Sequence, residues 1–150
     1  MAQEEQGYKP FEYEEHTADV IIKAYGKTLE ETIANAAKAV FNIITDISKV
    51  EPRECRKVSE EGMDLYQAIV RWLESFLVMF DSEGLVFSDF RVDKIEKLDD
   101  GGVRISGVGC GEPFDPEKHE EGTIVKAITY HEMKLEKTDG LWVLRFAVDI

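Results

Sequence analysis

The stretch that decides the fold is ADVIIKAYGKTLEETIANAAKAVFNII, residues 18–44, in which a strand pattern leads directly into a helix pattern. Over residues 18–25 the apolar positions alternate, which is typical of a strand with one fully buried face. The buried positions expected from this alternation are Val20, Ile22 and Ala24. Gly26 then ends the predicted strand.

A helix is predicted immediately after this strand. Apolar residues recur from Leu29 to Ile44 at spacings of three and four, so they share one face of a helix of about 17 residues. Thr28 lies three positions before Glu31, the spacing of a capping box. This pair therefore marks the start of the helix.

A second helix is predicted from Asp64 to Phe80, with an apolar arc wide enough to make it the most buried element. The sequence Asp-Ser-Glu-Gly at 81–84 ends it, and Gly84 is expected to adopt a left-handed cap.

The second half of the chain is rich in strand-forming residues, and it predicts two hairpins. The first pairs 85–98 with 103–110 around the turn at 99–102, and the second pairs 123–136 with 141–150 around the turn at 137–140. Glycines at 107, 109 and 111 indicate a bulge or a close backbone approach. Together these elements predict a single α+β domain, with two helices packed on one face of a mainly antiparallel sheet.

Length and composition restrict the class of protein. The 150 residues carry a net charge of −13, with 43% hydrophobic residues, which fits one globular domain. We expect residues 1–10 to be a flexible segment and residues 11–150 to form the domain. The sequence has no membrane-length apolar run and no secretory signal, so a cytoplasmic protein is expected.

The negative charge also argues against a large direct contact with nucleic acid, because such binding depends on Lys and Arg neutralising phosphates. The two cysteines, Cys55 and Cys110, match neither a zinc motif nor a disulfide scaffold. We expect two reduced thiols and no disulfide-linked partner.

Two acidic residues interrupt apolar strands at their ends. Asp19 lies directly before Val20, and Asp149 lies beside the α-carboxylate of Ile150. Each could be a solvated carboxylate at a strand end. If the two strands are neighbours, however, Asp19, Asp149 and Ile150 bring together three hard oxygen donors, which suit Ca²⁺, Mg²⁺ or Mn²⁺ better than zinc or copper.

Other polar residues are further candidates near this cluster. His16 and His131 are possible metal ligands or supporting groups, although an isolated histidine is more often an ordinary surface residue. Lys126 interrupts an apolar segment, either as the outward charge of an edge strand or as the counter-ion of the carboxylates. No nucleophile motif or phosphate-binding loop is present.

The motifs of this chain, in their order from Phe11 to Ile150, closely resemble those of the archease family. They are HTADV at 16–20, AYGKTLEE at 24–31, NAA at 35–37, WLE at 72–74, DSEGLVF at 81–87, GEPFDP at 111–116 with His119, KAITYH at 126–131 and VDI at 148–150.

This resemblance implies an α+β cytosolic protein that is not itself an enzyme. Archeases are protein cofactors of the RtcB-type tRNA-splicing ligase, and they promote guanylylation of the ligase and its multiple turnover. The family's metal site corresponds here to Asp19, Asp149 and the Ile150 carboxylate, and Lys126 corresponds to a family lysine. The implied partner is the ligase, with RNA contacted only indirectly.

Two other classes of function remain open from the sequence. The acidic cluster could serve a stand-alone metal-dependent phosphoesterase, or the protein could be a general chaperone-like adaptor with an exposed apolar patch.

Overall fold

A computed structural model describes residues 7–15 and 19–150, and it contains two helices and seven strands within those ranges. The helices are α1 (Leu29–Ile44) and α2 (Leu65–Glu83). The strands are β1 (Phe11–Glu15), β2 (Asp19–Gly26), β3 (Glu54–Gly62), β4 (Leu85–Lys97), β5 (Val103–Pro113), β6 (Ala127–Thr138) and β7 (Leu141–Asp149). A short 3₁₀ helix spans Ile47–Lys49. Most of the flexible segment predicted at 1–10 lies outside the described residues.

The strands form two antiparallel sheets. One has four strands in the order β1-β2-β7-β6, and the other has three in the order β3-β5-β4. The α+β class predicted from the sequence is confirmed. The division into two sheets and the strand β1 were not predicted, because β1 is mostly polar and the division depends on which strands pair with each other.

The two helices begin and end where their capping residues indicate. The Thr28 hydroxyl accepts a hydrogen bond from the Glu31 N–H at 3.0 Å. The Glu31 carboxylate accepts from the Lys27 N–H at 2.9 Å instead of from Thr28, so the capping box is displaced by one residue. Gly84 ends α2 with φ of 71°, the left-handed cap that was predicted, although α2 continues to Glu83.

Both helices pack between the two sheets. Helix α1 contacts β2 and β4, whereas α2 contacts β3, β5 and β6. The centre of the core is a set of aromatic rings in edge-to-face or tilted contact: Phe41, Trp72, Phe76, Phe87 and Phe90. The close backbone approach predicted for the glycines of β5 is confirmed, because a Cβ at Gly109 would lie 2.5 Å from the Phe76 ring.

The two cysteines form a disulfide, so the prediction of two reduced thiols was wrong. Cys55 on β3 and Cys110 on β5 are direct register partners and are bonded to each other. The sequence did not indicate the pairing because the two residues are separated by 55 positions and meet only through the register of the sheet. Of the described helices, neither has the length and apolarity needed to cross a membrane.

Candidate functional site

The two candidate aspartates lie directly opposite each other at one end of the four-stranded sheet. Strands β2 and β7 are antiparallel neighbours, and Asp19 is the register partner of Asp149. Direct partners point to the same face of a sheet, with Cβ atoms about 4.5–5.5 Å apart. We call Asp19 and Asp149 the carboxylate pair. Whether they bind a metal stays a prediction.

The apolar pattern of the two strands fixes this pairing. Ile22 and Ala24 on β2 pair with Phe146 and Leu144 on β7, and all four side chains are fully buried against the helices. A slip of one residue would turn these side chains toward solvent, so the register is strongly specified. The aspartates lie on the opposite face, one pair beyond the buried residues Ile21 and Ala147, where Asp149 is exposed and Asp19 is half-buried. The core therefore holds the carboxylate pair together.

Lys126 reaches the same end of the sheet through its main chain. Its N–H donates a hydrogen bond of 2.7 Å to the Asp149 carbonyl, and Ala127 on β6 is the register partner of Asp149. The Lys126 side chain is exposed, and it is not within ion-pair distance of Asp19 or Asp149. Lys126 directly precedes β6, an edge strand, which fits the interpretation as the outward charge of an edge strand, and the counter-ion interpretation stays a prediction.

The structure does not bring His131 to this site. His16 lies outside the described residues. His131 is exposed in an irregular part of β6, where the pairing with β7 shifts between Thr129 and Lys134. Thr129 pairs with Ala147, so in a regular strand His131 would pair with Arg145. The shift places Lys134 there instead.

Another polar cluster, which the sequence did not predict as a site, surrounds a buried carboxylate. The Glu112 side chain is 6% exposed and the His119 side chain is fully buried, with Nε2 of His119 3.0 Å from the Glu112 carboxylate. Nδ1 of His119 accepts a hydrogen bond from the Asp115 N–H at 2.9 Å. The proton of this imidazole is therefore on Nε2, which donates it toward Glu112.

Further donors complete the environment of Glu112. The Glu51 N–H donates to its carboxylate at 2.8 Å, and the Lys118 ammonium lies at the same distance. Burial acts to raise the pKa of Glu112, but these hydrogen bonds, together with that of His119, outweigh it and lower the pKa to about 2. The cluster anchors the segment between β5 and β6. The spacing of Glu112 and His119 within GEPFDPEKH was its only sequence signal.

The carboxylate pair supplies two of the oxygen ligands that a hard divalent cation needs, but not a complete set. Two carboxylates on one face of adjacent strands are suitable ligands for Ca²⁺, Mg²⁺ or Mn²⁺. Across residues 7–15 and 19–150, no three His, Cys, Asp or Glu side chains are grouped so that they could hold a metal ion. A complete site would therefore need a further donor, such as the main-chain carboxyl group of Ile150.

Residues 11–150 match the model of the archease protein family (MTH1598/TM1083). A protein archease of Sulfurisphaera tokodaii is 51% identical over 140 residues, covering 93% of this chain and 98% of the relative. A protein archease of Aeropyrum pernix is 49% identical over 138 residues, covering 92% and 95%.

Two solved structures are similar in fold. The solution structure of protein 1598 of Methanobacterium thermoautotrophicum has a TM-score of 0.79 and 39% identity, covering 94% of this chain and 99% of that one. The crystal structure of an archease from Thermotoga maritima, described as a possible chaperone, has a TM-score of 0.55 and 19% identity, covering 91% and 94%. At 19% identity, the similarity to the Thermotoga maritima structure shows the fold alone.

Proposed function

This chain belongs to the archease family, and from that membership we propose that it is a protein cofactor of the RtcB-type tRNA-splicing ligase. In this proposal it promotes guanylylation of the ligase and its multiple turnover during tRNA splicing in the cytoplasm. It performs no reaction of its own. The observation that carries the proposal is the direct register pairing of Asp19 with Asp149 at a solvent-exposed sheet end.

The carboxylate pair holds one divalent cation in this proposal. Asp19, Asp149 and the carboxyl group of Ile150 supply the oxygen ligands, and the cation is Ca²⁺, Mg²⁺ or Mn²⁺. When bound, the ion supplies positive charge that can neutralise phosphate oxygens near the ligase nucleotide. The protein's part is to hold two carboxylates at a fixed spacing, which the buried register of β2 and β7 supports.

Charge supports the choice of partner. A net charge of −13 attracts a basic surface such as an RNA-binding cleft, and it repels RNA itself. The protein would therefore meet RNA only indirectly, through the ligase. Lys126 lies beside the carboxylate pair through its main chain, so its exposed ammonium is available to the partner.

Two other activities would give different results. A chaperone-like adaptor needs a continuous apolar surface, whereas the five large apolar side chains that are exposed in the described chain come from separate segments: Tyr13, Met63, Val78, Ile124 and Tyr130. A phosphoesterase would turn over phosphate esters without the ligase.

Single-turnover guanylylation of the ligase, with and without this protein, tests the proposal. Asp149→Asn keeps the size of the side chain and removes one metal ligand. Asp89→Asn is the matched control, because Asp89 is also an exposed strand aspartate, 64% exposed, on the other sheet. We expect stimulation to fall about tenfold or more for Asp149→Asn, which is about 1.4 kcal/mol, and to be unchanged for the control.

Equal stimulation by wild type and Asp149→Asn would contradict the role of the carboxylate pair. If the wild-type protein does not stimulate guanylylation of the ligase with any divalent cation, the ligase role is contradicted. Suppression of aggregation of unrelated proteins, without an effect on guanylylation, would favour the chaperone-like adaptor.

A further inference from the structure

We propose that the solvent face of the four-stranded sheet binds a phosphate-bearing ligand through a row of three cations, Lys23, Arg145 and Lys134. This proposal goes beyond the ligase-cofactor role and does not depend on it. We call these three residues the cationic row. The ligand class is an oligophosphate, either free or on a nucleotide.

The register of three strands creates the cationic row. Lys23 on β2 is the direct partner of Arg145 on β7, and Arg145 is in turn the direct partner of Lys134 on β6. All three therefore point to the same face, on strands that are about 4.8 Å apart. Three cations thus cross this face within about 10 Å.

The irregularity in β6 is what places Lys134 in the row. Regular pairing beyond Thr129 would set His131 opposite Arg145, but the register shifts by three residues and sets Lys134 there. Glu132 within this shift has a φ of 61°, so the backbone departs from a regular strand. Bulges of this kind are frequent next to functional sites, where they redirect a side chain.

The cationic row lines a concave surface with room for a ligand. A cavity of about 440 Å³ is bordered by the three cations together with Tyr25, Val143 and Glu136. Tyr25 lies two residues after Lys23 on β2 and on the same face, where its ring adds an aromatic surface. The cavity is therefore suited to an anionic group next to a flat or apolar one.

The cations are only partly neutralised by the protein. Lys23 lies 3.5 Å from Glu14, and Lys134 lies 2.9 Å from Glu136, both as exposed pairs of the weak, readily exchanged kind. Arg145, at the centre, has no ion pair with any residue in 7–15 or 19–150. Glu12 on β1 is the direct register partner of Lys23, so that end of the row faces a carboxylate of the protein, whereas Arg145 faces a cation on each side. Like charges directly opposite each other destabilise a sheet, so an external anion is the natural complement of Arg145.

Charge and geometry favour phosphate over a carboxylate. In a chain of net charge −13, three adjacent cations on one face are locally exceptional. A single carboxylate would occupy Arg145 and leave the lysines as they are, whereas a di- or triphosphate carries enough charge and length to span the row. The guanidinium also matches phosphate oxygens in a bidentate manner.

The cationic row shares its face with the carboxylate pair. Asp149 lies four residues from Arg145 along β7, which is about 13 Å, and Asp19 lies four residues from Lys23 along β2. Ile21 and Ala147 lie between these two groups on the same face and are both buried, so the row and the carboxylate pair are two separate surface patches.

The test is binding of inorganic pyrophosphate to the full chain, by calorimetry and by NMR mapping, with a chelator present so that no metal takes part. GTP is a parallel probe that distinguishes an oligophosphate on a nucleotide from a free one, and a glutamate-rich peptide is the competitor. We expect saturable binding, with shifts at residues 21–25, 134–136 and 143–147, that weakens as salt rises.

Two matched pairs of variants isolate the row. Arg145→Gln should weaken pyrophosphate binding about tenfold or more, and Arg91→Gln on the other sheet should change it less than about twofold. Lys134→Gln is paired with Lys94→Gln, because both lysines are about two-thirds exposed and pair with the glutamate two positions later. This second pair carries the test if circular dichroism shows that Arg145→Gln does not fold.

Three results would overturn the proposal: shifts that map elsewhere or do not saturate, equal binding by the row variants and their controls, or tighter binding of the glutamate-rich peptide than of pyrophosphate. A preference for either pyrophosphate or GTP, with binding weakened in the row variants, supports the proposal and identifies the source of the phosphate.

Discussion

Two acidic sites in this protein are built in opposite ways. Glu112 is buried, and its carboxylate receives hydrogen bonds from a main-chain N–H, from Lys118 and from His119. Asp19 and Asp149 lie at a sheet end, and neither forms an ion pair within the part of the chain that the structure describes. The first carboxylate is satisfied by the protein itself. The second pair has its oxygen atoms available to something outside it, so the two sites should respond differently to mutation.

The largest expected effect is on stability, at Glu112. In Glu112→Gln the side-chain amide would face the Nε2–H of His119 and the Lys118 ammonium, leaving donors without an acceptor. We expect the free energy of unfolding to fall by about 3 kcal/mol, as when one partner of a buried ion pair is lost.

Urea unfolding measures this effect, and Glu117→Gln on the same segment is the control because Glu117 is exposed. A loss below about 1 kcal/mol for Glu112→Gln would mean that the buried cluster does not stabilise the fold.

The pH dependence of stability should also separate the two sites. The pKa of Glu112 is lowered from 4.5 to about 2, so folding favours its charged form. Its contribution is then fully present above about pH 4.5 and is lost as the pH falls toward 2. Urea midpoints between these values should fall less steeply for Glu112→Gln than for wild type. Identical slopes would contradict the pairing of Glu112 in the folded state.

A small effect, of opposite sign, is expected at the carboxylate pair. Without divalent cations, Asp149→Asn removes repulsion between two facing carboxylates, so stability should be unchanged or rise by about 0.5 kcal/mol. With a cation in excess, wild type should instead become the more stable protein by mass action. Thermal melting with and without Mn²⁺ measures the difference in stability between wild type and Asp149→Asn under both conditions. A loss above about 1 kcal/mol in the absence of metal would show that Asp149 has a structural role.

The sequence predicted the elements whose signals are local. Helix α1 follows from the Thr28 cap and its apolar period, and the end of α2 from Gly84. The turn at Asp139 and Gly140, with φ of 53° and 78°, is the second predicted hairpin. Strand β1 was missed because its sequence FEYEE is mostly polar and partly exposed. Its pairing with β2 gives it the strand conformation.

The features around the site that depend on pairing between distant residues could not be predicted from the sequence. The aspartates were predicted because each occupies the end of a strongly patterned strand. The Cys55–Cys110 bond, the displacement of His131 by the irregularity in β6, and the burial of His119 depend on register and packing. The first two leave no local pattern in the sequence, and the third is marked only by the spacing of His119 from Glu112.

Cation binding at the carboxylate pair is the most direct test of the difference between the two acidic sites. Calorimetric titration with Mn²⁺, together with paramagnetic broadening of NMR signals, should show one site centred on residues 19 and 149. Asp19→Asn and Asp149→Asn should each abolish Mn²⁺ binding, and the double variant should show no further loss. Asp89→Asn should bind Mn²⁺ as tightly as wild type. Binding that persists in both single variants, or broadening centred elsewhere, would contradict a cation site made by this pair.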